Sequence, residues 1–385
     1  MTFAASISEP LTPQETMGRN DPCWCRSGRK WKHCHRDRDK QHRRNINELL
    51  NAIGQEQARG YCVHPDAGEG TCSGGATDAH TIQKEGGLRA IAEKGHVISI
   101  KKGALGIGRN DGEIILVPDG IGNASTFPGF CNTHDAMFSP AEQKIVPLSR
   151  EAAFLLSYRA IAYEKFLKES ALRSNELHRQ EADKGQPFAE QVRIQEALYA
   201  AKYLMELGLR DLTQSKDAFD AAYRASYTGF NFLVVEFSAV VPVVSCGAFF
   251  PDFDLFGQPL QSLAAATLLD PIAVNLTVLN DRSVLFLGWI GSGGPPEKFA
   301  TSYARLPQAE KANAAVRLAI EYSENTYSRP SWWTGLPQAV RDGVVATLFT
   351  MKAPAVSQRG PDGLCLDGKI FAAASVSLDG GNHLR

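Results

Sequence analysis

Eight cysteines and nine histidines carry most of the chemistry this chain can offer, and they are unevenly spread. Six cysteines (Cys23, Cys25, Cys34, Cys62, Cys72 and Cys131) and seven histidines fall at or before His134. Mixed thiol and imidazole clusters, with no basic-plus-apolar leader in MTFAASISEPLTPQE, read as metal sites of a reduced compartment rather than disulfides. A cytoplasmic location is expected. The first cluster is Cys23-x-Cys25-x8-Cys34-His35. Three thiolates and one imidazole suit tetrahedral zinc, and four protein ligands make the site closed and structural. The second set is Cys62-x9-Cys72, then Cys131-Asn132-Thr133-His134-Asp135. Two pairs of soft donors far apart in sequence can close one zinc site from Cys62, Cys72, Cys131 and His134. Between the pairs stands Asp78-Ala79-His80-Thr81-Ile82 on a short apolar segment.

The first cluster resembles the SEC-C motif, named for the C-terminal zinc element of the preprotein translocase ATPase. The resemblance rests on Gly18-Arg19-Asn20-Asp21-Pro22, Ser27-Gly28, the basic-aromatic stretch Arg29-Lys30-Trp31-Lys32, and Cys34-His35. Trp24 stands where Pro is common and Arg26 where Gly is common. For the translocase, the resemblance implies docking to an acidic chaperone partner. The side chains of Arg26, Arg29, Lys30, Trp31, Lys32 and Arg36 could meet an acidic protein, ribosomal RNA or DNA phosphates.

The second set is similar to the zinc-supported, treble-clef HNH endonucleases, more loosely and over about 75 residues. There a Cys pair precedes an Ala-His or Asp-His step on a strand, and a second ligand pair followed by Asn or His opens a helix. By that resemblance His80 matches the general base. Asp78, Asn123, Asn132 and Asp135 are candidates for orienting roles or for holding a catalytic Mg²⁺ or Mn²⁺. The long Cys62–Cys72 spacing and the 51 positions from His80 to Cys131 depart from the pattern. If His134 were catalytic instead, His64 is the alternative fourth zinc ligand.

These clusters must be held by the rest of the chain. The 385 residues suggest two or three domains, and 43% hydrophobic with 22% charged residues is ordinary globular composition. The net charge of −1 hides an asymmetry: residues 18–44 hold ten Lys or Arg against three Asp, and the remainder 31 basic against 39 acidic. Bulk charge alone is therefore excluded as a means of binding nucleic acid. The longest apolar stretch, 232–250, is broken by Glu236, Pro242 and Gly247, so it reads as buried strands and no membrane span is expected.

The expected fold class is α+β, with small N-terminal zinc elements, a long helical hairpin, and a C-terminal antiparallel sheet flanked by helices. The expected divisions are a disordered leader (1–16), the SEC-C-like element (17–44), the HNH-like zinc domain (45–148), the hairpin (149–229) and an α+β domain (230–385). Apolar residues at 46, 49, 50 and 53 predict a connector helix. Segments 96–100 and 113–117 predict strands joined by GALGIGRNDG. Residues 149–227 are helical, capped by Ser149 and split at Gly185-Gln-Pro187. FLVVEF, VPVVSC, IAVNLTVL and SVLFLGWI predict strands, with a hairpin turn at Asn280-Asp281-Arg282. Helices return at 308–325 and 336–349.

Weaker features complete the inventory. The run Gly103, Gly106, Gly108, Gly112 lacks a strand-to-helix setting, and Gly291-Ser292-Gly293-Gly294 lacks the Lys-Ser/Thr of a phosphate loop. Trp332-Trp333 after Pro330 reads as a packing anchor. Cys246 with Asp252-Phe253-Asp254 is a third site reading, a metal on paired carboxylates, with a polar loop favoured. The functional expectation is an HNH-like endonuclease whose SEC-C-like element binds a partner or nucleic acid, in a layout found in phage defence. The alternative is a non-enzymatic zinc adaptor that docks an acidic protein or the ribosome.

Overall fold

The computed structural model describes residues 10–99, 116–142, 147–263, 267–350, 360–366, 368 and 380–384. The Gly-rich run at 103–112 and the linking GALGIGRNDG lie outside these. The chain forms two compact units: Met1–Arg59 with Phe166–Arg210, and Gly60–Lys165 with Asp211–Arg385. The fold class is α+β.

The first unit joins the N-terminal segment to the distal half of a helical hairpin. Helix α1 (Ile46–Gln57) is capped by Asn45, whose Oδ1 accepts from Asn47 N–H at 2.8 Å, and it buries Leu49, Leu50 and Ile53. Arg173 Nη2 donates to the carbonyls of Glu56 and Arg59, fixing the end of α1 against the hairpin. The core around the first cysteines is small: Leu11, Cys23, Trp24, Cys25 and Cys34. Leu11 falls in the stretch expected to be a disordered leader. Its burial at 7% exposure shows that order begins at least there.

The second unit is built on sheets. The short ribbon pairs β1 (Thr77–His80) antiparallel with β4 (Thr126–Phe130), and α2 (Asn132–Asp135) follows directly. The main sheet holds β2 (His96–Ser99), β3 (Val117–Gly120), β5 (Phe230–Phe237), β6 (Val243–Phe249), β7 (Ile272–Leu279), β8 (Arg282–Ile290), β9 (Thr326–Ser328) and β10 (Gly380–Leu384). Its order is β10-β5-β8-β7-β6-β9-β2-β3, antiparallel throughout. Of the strand expected at 113–117, residues 113–115 lie outside the described residues, and the observed strand, β3, begins at Val117, which pairs with Ser99, and runs on to Gly120. Asn280 and Asp281 both take left-handed φ (52° and 63°), as a two-residue hairpin turn between β7 and β8 requires.

Both faces of this sheet are covered, so its central strands are buried along their length. On one face Leu233, Val235, Leu285, Leu287 and Trp289 pack with α5 (Pro295–Ala304), α6 (Gln308–Tyr322), α7 (Pro330–Gly335) and the first part of α8 (Gln338–Thr350). Trp333, 8% exposed, is one of the anchors there. The helix expected through residue 325 ends at Tyr322, because Ser323, Asn325 and Thr326 turn their polar groups to each other and to Cys246 O. The other face meets the base of the hairpin, where Phe154 and Phe219 contact Phe230.

The hairpin itself is α3 (Arg150–Glu181) and α4 (Phe188–Arg224). Ser149 Oγ accepts from Ala152 N–H, as its capping role requires. Gly185 sits at φ 69° in the turn that follows the first helix, and Pro187 immediately precedes the second. Among the described residues, no helix is long and apolar enough to cross a membrane.

Candidate metal centres

The first centre is shaped by a tight knuckle. Cys23 N–H donates to Arg29 O at 2.9 Å, Arg26 N–H to Cys23 O at 3.0 Å, and Cys34 N–H to Trp31 O at 3.0 Å. Arg26 sits at φ 55° and Gly28 at φ 74°. The left-handed φ at position 26 is the physical reason glycine is common there, since a Cβ costs about 1 kcal/mol or more in that conformation. Trp24 is accounted for as well. Its ring, 3% exposed, packs on His35 at 4.5 Å and edge-on to Phe188 at 5.9 Å. Trp24→Ala is expected to destabilise the first unit by about 3–5 kcal/mol, read from its denaturant-unfolding midpoint.

The four donor atoms converge. Cys23 Sγ and Cys34 Sγ each lie 3.2 Å from His35 Nδ1, and Cys25 Sγ lies 3.5 Å from Cys34 Sγ. Tetrahedral zinc bonds of about 2.0–2.3 Å put donors roughly 3.5 Å apart, so the set fits the ion. The electrostatics agree. Burial opposes charge on His35, but Asp183 and the thiols of Cys25 and Cys34 outweigh it and push the imidazole up to about 11. Hydrogen bonds from Cys23 and Cys34 pull the Cys25 thiol down. The pocket favours a thiolate and a positive charge, which a zinc ion supplies.

The second centre closes at the head of α2. Cys62, Cys72 and Cys131 Sγ lie 3.3, 3.6 and 3.3 Å from His134 Nδ1. Cys131 is the residue before α2, and its carbonyl accepts from Asp135 N–H, which turns His134 back toward it. Burial raises the Cys131 thiol, yet the N–H groups of His134 and Ser73 outweigh that and lower it to about 6. His64 is not among the four gathered donors. Its ring lies flat on His134 at 4.0 Å and 6°, and its Nδ1 accepts from Asp66 N–H. Burial and the charge of His134 lower His64 to about 4, keeping it neutral. Cys62 and Cys72 are partly exposed, whereas all three cysteines of the first centre are buried.

His80 ends β1. Its Nε2 donates to Ile121 O at 3.1 Å, which leaves Nδ1 as the acceptor nitrogen. The next residue, Thr81, is buried, donates from Oγ1 to Ser125 O and accepts from Asn325 Nδ2 at 2.6 Å. Asp78, Asn123 and Asn132 are exposed. Asp135 faces Arg159, with Oδ1 4.0 Å from Nη2, and Arg159 Nη1 donates to Glu142 at 2.7 Å. Burial raises the Asp135 carboxyl, Arg159 and His80 lower it, and Glu142 raises it further, with a net upward shift.

Among the described residues, groups of three or more His, Cys, Asp or Glu whose ligand atoms lie within 4.8 Å number two: the two zinc sets. Asp78, His80 and Asp135 do not gather into a third. Nor do Asp252 and Asp254. Asp254 Oδ1 accepts from the N–H groups of Phe256 and Gln258 and so shapes its own loop. The N–H of Gly293 is taken by Glu297, a carboxylate that would repel phosphate. Of the basic residues singled out, Arg26, Arg29, Lys30 and Arg36 are exposed, while Trp31 and Lys32 are partly covered.

Sequence reasoning missed Asp183, which accepts from His35 Nε2, and Arg38 and Gln195, which donate to Asp183. Nothing in the spacing marks Asp183, 148 residues from its imidazole partner.

Comparison with known proteins agrees with the first centre. Residues 19–37 match the SEC-C motif family. Protein translocase subunit SecA of Pseudomonas putida (strain KT2440) and of Pseudomonas syringae pv. syringae (strain B728a) are each 55% identical over 31 residues. That stretch is 8% of this chain and 3% of the translocase subunit. The chain therefore carries a SEC-C zinc-binding element and shares only that fraction of the translocase. No solved structure matches the chain.

Proposed function

We propose that this is a two-zinc protein whose β1-β4-α2 module hydrolyses phosphodiester bonds and whose SEC-C element supplies the contact to its substrate or partner. The observation behind this reading is the setting of His80. It ends the first strand of an antiparallel ribbon that runs straight into a helix pinned by zinc ligands. Its Nε2 is committed to Ile121 O, so Nδ1 is free to take a proton from water. Asp135, one residue beyond His134, lies within electrostatic reach of His80. A divalent cation such as Mg²⁺ or Mn²⁺ would neutralise charge on the scissile phosphate when bound. His80 would accept the proton of the attacking water, and the zinc would hold the ribbon and helix in register.

The test is incubation of the full chain with supercoiled DNA and with RNA, with Mg²⁺ or Mn²⁺ and with a chelator. Cation-dependent cleavage is the expected result. Intact substrates under every condition would reject the nuclease reading.

A second reading has its own observation. Among the described residues, the ligating side chains around His80 do not gather in threes, while Arg26, Arg29, Lys30 and Arg36 are exposed on the SEC-C element. An adaptor would need only the latter. Arg29→Glu with Lys30→Glu is expected to weaken binding to nucleic acid or to an acidic protein at least tenfold and to flatten its salt dependence. Fluorescence anisotropy at two or more salt concentrations reads both effects. Unchanged affinity would remove this surface from either reading.

A further inference from the structure

Asp183 is fully buried just past the end of the first hairpin helix, and its carboxylate joins the SEC-C element to the hairpin. Its Oδ2 accepts from His35 Nε2 at 2.8 Å and from Gln195 Nε2 at 2.9 Å. Its Oδ1 accepts from Arg38 Nε at 2.8 Å and from Arg38 Nη2. Arg38 also donates to Gln180 O, while Gly185 N–H donates to Arg38 O. Arg179 Nη2 donates to Cys25 O, the carbonyl of a zinc ligand. The turn of the hairpin and the zinc knuckle are therefore one hydrogen-bonded assembly. It reaches the candidate zinc set through His35, whose Nδ1 faces the thiols of Cys23 and Cys34 and whose Nε2 donates to Asp183.

We propose that Asp183 is the outer-sphere partner of the first zinc ion, and that zinc in the SEC-C element orders the turn of the helical hairpin. A carboxylate on the far nitrogen of a ligating histidine fixes its tautomer and orientation and strengthens it as a donor. Asp183 lies outside the SEC-C match at residues 19–37, so the motif alone lacks this partner of His35. The coupling runs both ways. Zinc holds His35 where it donates to Asp183, and Asp183 holds His35 where it binds zinc.

Two measurements on the full chain test this. The first is zinc affinity by competition with a chromophoric chelator, resolving two equivalents per chain. Asp183→Asn, which keeps an acceptor and loses the charge, is expected to weaken one equivalent about tenfold. Asp183→Ala is expected to weaken it about a hundredfold, leaving the other unchanged. The second needs no substitution in the hairpin: hydrogen exchange of residues 179–195 in wild type, before and after the chelator removes the first equivalent. Protection there is expected to fall together with protection in residues 19–37. Equal affinities of wild type and both variants would overturn the outer-sphere role. Protection at 179–195 that survives zinc removal would overturn the coupling, and this reading stands even if a variant does not fold.

Discussion

Cys34→Ser is expected to leave one zinc equivalent per chain and to abolish hydrogen-exchange protection across residues 19–37, while strands β5 to β8 keep theirs. The size of the effect follows from what the element is made of. Three of the five residues of its core are zinc ligands, and the apolar remainder is Leu11 and Trp24 with partly buried neighbours. Burying an aromatic and an aliphatic side chain contributes a few kcal/mol, well below the roughly 10–16 kcal/mol of apparent binding energy that structural zinc brings to small domains. The sheet draws on a separate cluster of some thirty buried residues and has no ligand in it. A variant retaining both zinc ions, or one losing protection throughout, would refute this account. Elemental analysis and peptide-resolved exchange separate the two failures.

The second large effect falls on His80. If the β1-β4-α2 module cleaves phosphodiesters, His80→Ala lowers the rate by about 10²–10⁴-fold, the usual contribution of a positioned general base. Zinc content and melting temperature should hardly move, because His80 is outside both ligand sets and makes one side-chain hydrogen bond to a carbonyl. Substituting Cys131 would also stop cleavage, but through loss of the second zinc, so it does not identify the base. Cleavage by His80→Ala at the wild-type rate would remove His80 from the chemistry whatever the source of the activity.

The sequence exposes some of this architecture and hides the rest for identifiable reasons. The eight gathered Cys and His donors, which could hold zinc, are legible because donor chemistry is restrictive and because each half-site is local, such as Cys34-His35 or Cys131-x2-His134. His64 shows the limit of that logic. It has the right atoms close to the second centre, yet it stacks on a ligand instead of becoming one. The central strands announce themselves because both of their faces are buried, which demands continuous β-branched and aromatic runs. Strand β9 is three residues of Thr, Tyr and Ser with no period to detect, and its place between β6 and β2 is set by pairing alone. Trp24 and Arg26 look like departures from the motif. Their reasons, a partner in Phe188 and a left-handed turn, exist only in three dimensions.

The wide sequence gap between His35 and Asp183 sets a timetable for synthesis. Translation proceeds at about 5–20 residues per second, so the imidazole is made roughly 7–30 s before the carboxylate 148 positions later. Until then the nascent SEC-C element has its four thiol and imidazole donors but not the contact that fixes His35. A zinc ion captured early would be held by the knuckle alone and tightened only when the hairpin closes. A fragment ending before Asp183 would remain at that first stage, binding zinc more weakly than the finished protein.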